Sequence, residues 1–158
     1  MNYFLNTERD QVERLDPMMK ALLPVLRHFF SALNDPPSQG WRHGYEVAIG
    51  IWGQGRGLSI AHAVQKFTYD LMRCGETALH FNDPLDIYAR PLLTPDERTV
   101  LLLLSYMRAD NTGKAREVIE GLHQGMIDPI LVRHGLALAA MMDATPARQA
   151  VPKLRVVN

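Results

Sequence analysis

The side chains of this chain that could do chemistry are six histidines, one cysteine and a glycine-rich stretch around Arg56. Gly53 to Gly57, "GQGRG", is the natural place to look for an anion. Glycines let backbone N–H groups approach a phosphate, Arg56 adds charge, and a following helix offers its N-terminus. The stretch lacks the Lys-Ser/Thr of a P-loop, and no strand precedes it as a dinucleotide fingerprint requires. It reads as a mobile, ligand-free inter-helix turn, with an anion site as the alternative. Helical di-iron centres take Glu-x-x-His pairs from two helices. Glu120 and His123 form one such pair, and one pair cannot hold the metals. Glu76, His80 and Asp83 lie close in sequence at no cage spacing. All six histidines are therefore expected at the surface or locally bonded, with no metal and no cofactor. Cys74 falls near a helix C-terminus, where the dipole disfavours a thiolate, and reads as a small buried hydrophobe. Ser31, Ser38, Ser59 and Ser105 have no nucleophile-elbow context. No catalytic constellation emerges.

The elements that would position these residues are helices. Asp16-Pro17 is a cap followed by a first-turn proline, and Met19, Leu22, Leu26, Phe29, Phe30 and Leu33 recur at helical spacing. Pro24 interrupts that pattern, so the helix either kinks there or begins there. Tyr45, Ala48, Ile49 and Trp52 mark a second helix, and Ile60, Val64, Phe67 and Leu71 a third. His62, Gln65, Lys66, Asp70 and Arg73 fall on or near the wet side of the third. Thr94, Pro95 and Glu97 form a capping-box start for a fourth, with Val100, Leu103, Leu104 and Met107 as its stripe. Ala115, Val118, Ile119 and Leu122 mark a fifth, and Asp128-Pro129 starts a last helix that is almost wholly apolar. Thr7 and Asp10 could cap a short further helix near the N-terminus. Sustained period-two alternation is missing. The fold class is all-α, a compact bundle of six or seven helices with a C-terminal three-helix unit packed as helical hairpins. Residues 1–143 read as one domain with linkers near 34–40, 53–58 and 80–93, and 144–158 as a flexible tail.

Thr94-Pro95 and Asp128-Pro129 stand about one tetratricopeptide-repeat length apart, roughly 34 residues. Tyr106, Ala115 and Ile119 fall where the repeat has its tyrosine, its first second-helix alanine and its aromatic. The unit resembles that repeat over about a fifth of the chain. Thr99, Leu102 and Leu103 replace its tryptophan and leucine-glycine, and no second full unit stands upstream. The family is not assigned on this likeness, which implies a scaffold that binds another protein.

Lys plus Arg equal Asp plus Glu at 17 each, giving a formal net charge of zero. Nucleic-acid binders usually carry a basic excess, so no nucleic-acid partner is expected. The longest apolar run, Leu136 to Met142, is far below the roughly 18 residues of a membrane span. The start "MNYFLNTERD" has neither the basic end nor the apolar core of a signal peptide. With a lone cysteine, the expected location is the cytoplasm.

A helix apolar all round must be covered all round. Leu138, Met141 and Met142 are accordingly expected at an interface, with a homodimer burying Leu138 and Met142. The leading functional reading is a cytoplasmic protein-interaction or regulatory protein without catalytic activity of its own. The alternative is a small-molecule-binding or catalytic helical domain, its ligand held near Trp41, His43, Tyr45, Trp52 and Arg56.

Overall fold

Asp16 starts the first helix as its spacing predicts. Its carboxylate accepts from the N–H groups of Met18 and Met19, and α1 runs Pro17–Asn34. The helix continues through Pro24 rather than beginning there. The structure, a computed structural model, describes residues 11–75 and 78–143. The Thr7–Asp10 start, Glu76 and the 144–158 tail lie outside the described residues.

After a short 3-10 turn at Pro36–Ser38 come α2, Gly40–Trp52, and α3, Gln54–Cys74. The remaining helices are α4, Pro95–Arg108; α5, Thr112–Leu122; and α6, Pro129–Asp143. The described residues form an all-α bundle without strands. α1 packs on α2 and α3, α3 on α6, and α6 on α4, which also carries α5. One apolar cluster runs through them, from Leu22, Leu26 and Phe30 to Val64, Phe67, Leu103, Leu104 and Leu138.

The 53–58 linker is corrected by the structure. Gly53 alone separates α2 from α3, at φ 81°, a conformation that favours glycine. Gln54 to Gly57 already belong to α3. Gly57 serves packing instead: a Cβ there would lie 2.6 Å from both the Ala48 carbonyl oxygen and the Ile49 Cα. The two helices can therefore touch backbone to backbone only where the side chain is a hydrogen.

At the other end of the bundle, the α4 capping box forms. The Thr94 hydroxyl accepts from the Glu97 N–H, and the Glu97 carboxylate accepts from the Thr94 N–H, both at 3.0 Å. The expected dozen-residue connector precedes it without regular helix.

Candidate functional site

Residues 80–93 pass over one end of α1 and α4, and buried charge holds them there. Arg27 of α1 and Glu97 of α4 are 3% and 0% exposed. They pair in bidentate fashion, Nε to Oε1 at 2.7 Å and Nη2 to Oε2 at 2.9 Å. The guanidinium also donates to the carbonyls of Arg90 and Leu92. Glu97 accepts from the Asn82 N–H, and the Asn82 amide donates to the Ala89 and Leu92 carbonyls. Phe81 stacks on Phe30 with ring centroids 3.7 Å apart. The Thr94 hydroxyl, already the helix cap, donates to the His80 carbonyl.

The loop between these anchors is tightened locally. Asp83 accepts from the Leu85 N–H, and Asp86 accepts from the N–H groups of Tyr88 and Ala89. Such Asx turns tie a carboxylate to the backbone two or three residues on. Leu85, Ile87 and Tyr88 are 71%, 61% and 83% exposed, while Pro84 within the first turn is buried. Three large apolar side chains thus stand in solvent on a backbone pinned from beneath. By sequence alone, 80–93 reads as a connector. Its signal was present in "DPLDIY", two Asx-turn formers around apolar residues that belong to no helical stripe.

The residues expected to line one pocket are dispersed. Trp41 borders a cleft over α3. The His43 ring instead faces His28, with centroids 5.6 Å apart, and His43 Nδ1 lies 3.7 Å from Glu46. Tyr45 is half-buried, its hydroxyl donating to Gln65 at 3.0 Å and its ring edge-on to Phe29. Trp52 packs on the rim of the core. Arg56 reaches α6, where its Nη2 donates to the Met141 carbonyl, capping the C-terminal end of that helix.

The interface expectation is corrected too. Leu138 is 0% and Met142 4% exposed within the single chain, because α3 and α4 cover that side of α6. Met141 is half-buried. The exposed apolar side chains of α6 are Ile130, Leu136, Ala137 and Ala140. Leu136 borders an apolar groove of about 360 Å³ shared with Tyr106, Met107, Ile119, Ile127 and Val132.

Several chemical side chains also depart from expectation. His28 and His123 are buried rather than superficial, at 8% and 6% exposed. The His123 Nδ1 has no hydrogen-bond partner among the described residues. His134 binds Asp70 through its Nδ1. Cys74 closes α3 and donates its S–H to Asp128, at 2.8 Å. Among the described residues, no group of three or more His, Cys, Asp or Glu could hold a metal ion, and no helix is long and apolar enough to cross a membrane.

The chain matches no family model, no curated protein and no solved structure.

Proposed function

We propose that the protein is a helical interaction module that docks a partner protein on Leu85, Ile87 and Tyr88. The exposure of these three side chains on a backbone anchored by a buried ion pair carries the reading. Contiguous exposed apolar side chains mark interaction surfaces, and tyrosine is prominent among interface hot spots. A loop held in one conformation binds without the ordering cost that a flexible one meets. The partner contributes an apolar recess that takes the aromatic ring and the two aliphatic side chains. The balanced charge favours a protein partner over nucleic acid, and the lone cysteine fits a cytoplasmic location.

The test compares full-length wild type, the triple variant Leu85→Ser, Ile87→Ser, Tyr88→Ser, and a control, Met126→Ser, at an exposed residue far along the chain. Matching circular dichroism and denaturation midpoints establish that all three are folded. Quantitative proteomics of material retained from cell extract should show proteins held by wild type and control and lost from the triple variant. Identical retained sets would overturn the reading. Sedimentation equilibrium of the same samples reports whether the partner is a second copy.

A further inference from the structure

We propose that the cleft over α3, floored by the Asp70–His134 pair, binds a small organic anion with a flat apolar body. This site is separate from the 80–93 loop and independent of its role.

The polar residues of α3 at 62, 65, 66, 69 and 70 follow i, i+3, i+4 spacing and lie along one side of the helix. The sequence assigns that side to water, yet Asp70 is only 4% exposed. A buried carboxylate needs a compensating partner. Asp70 has the His134 Nδ1 from α6, and the Arg73 guanidinium stands 4.0 Å from its other oxygen. A carboxylate on Nδ1 sets the tautomer and orientation of the ring and leaves Nε2 as its free nitrogen. His134 lines the cleft, and no described residue bonds its Nε2.

Lys66 and His62 border the same cleft, one and two turns before Asp70. Neither has an ion-pair partner among the described residues. A lysine ammonium, an imidazole and the outer nitrogen of His134, which donates to an anion when the ring carries both protons, border one cleft where a phosphate or carboxylate could sit. Asp70 also lines the cleft, with one carboxylate oxygen on His134 and the other 4.0 Å from the Arg73 guanidinium.

The rest of the cleft is apolar and aromatic. Trp41 and Tyr69 are 47% and 54% exposed, beside Phe29 and Leu33. Gln65 is held in place by the Tyr45 hydroxyl. The volume, about 560 Å³, falls in the range of small-ligand sites. The Lys66 ammonium and two imidazoles beside an aromatic surface select an anionic head on a flat body.

Phenyl phosphate is the probe, titrated into the full chain carrying Trp52→Phe, so that Trp41 is the fluorescent reporter. Saturable binding with Kd near or below ~1 mM is expected, weakened about tenfold or more by Lys66→Ala. Lys66 is exposed, so that variant remains folded. His134→Gln should weaken binding as well, and the His134 ring proton should shift on titration of the parent. Inorganic phosphate should bind less tightly than phenyl phosphate. The triple loop variant should bind phenyl phosphate as wild type does, whether or not it has lost a protein partner. Absence of saturation, or affinity unchanged by Lys66→Ala, would overturn the site. Equal affinity for inorganic phosphate would overturn the role of the aromatic wall.

Discussion

Arg27 and Glu97, seventy positions apart in the chain, meet in two parallel hydrogen bonds with both side chains buried. The pair fastens three segments at once: α1, the 80–93 loop and the start of α4. Removing one member leaves the other as an uncompensated buried charge. Arg27→Met should therefore cost about 3–5 kcal/mol, measured by chemical denaturation. A cost below about 1 kcal/mol, as for an exposed pair, would show that the two are solvated in solution. The double variant Arg27→Met, Glu97→Met should recover part of the loss.

The glycines of the former "GQGRG" turn should respond in opposite directions. Gly57→Ala drives a Cβ into the α2 backbone and should destabilise by about 3 kcal/mol, at the upper end for overpacking. Gly55→Ala meets open space on a helix and should stabilise by about 0.5 kcal/mol. Equal effects at the two positions would mean that α2 and α3 are not in backbone contact.

Cys74 should be a poor nucleophile. Burial, then its hydrogen bond to the Asp128 carboxylate and that group's charge, push its pKa up to about 11. Alkylation near pH 8 should run about tenfold to a hundredfold slower than for an unfolded cysteine, and Asp128→Asn should speed it. The linkage has a defined sign. The unfolded thiol loses its proton first, so this contribution to stability is whole below about pH 9 and fades as pH rises through about 11. Fast alkylation of the folded protein would contradict the Cys74–Asp128 contact.

His28 should make the fold acid-sensitive. Burial first, and then His43, hold its pKa below the usual value, while Asp83 pulls weakly upward. The unfolded imidazole takes up its proton near pH 6.5 while the folded one stays neutral. Stability contributed here is therefore full above about pH 6.5 and declines as pH falls towards the folded value. Denaturation midpoints at about pH 7.5 and about pH 5.5 should differ more for wild type than for His28→Gln. Equal differences would show that His28 titrates freely.

The helices were legible because their signals are local. Asp16-Pro17 and the Thr94–Glu97 box each announce a helix start within four residues, and each does so in the structure. The GQGRG stretch misled because glycine is ambiguous in sequence. It permits a turn at Gly53 and permits close packing at Gly57, and only the partner helix distinguishes the two. Arg27 and Asp70 were unreadable for a related reason. Each sits at a helical position that looks wet, and its burial is set by a residue on another helix, Glu97 and His134 respectively. Leu138 and Met142 gave the opposite error. An apolar circumference does not say which of its sides the chain itself covers.

The seventy-residue separation of Arg27 and Glu97 also has a kinetic consequence. α2 and α3 are joined through a single residue, and α1 meets α2 after a short turn, so those contacts close small loops of chain. The ion pair closes a far larger one, which costs more chain entropy before any bond rewards it. It belongs on the native side of the folding barrier. A conservative change such as Glu97→Gln should then leave the refolding rate nearly untouched and appear as faster unfolding. The 80–93 loop would take its shape only after the helices beneath it have assembled, so an incompletely folded chain would not display it.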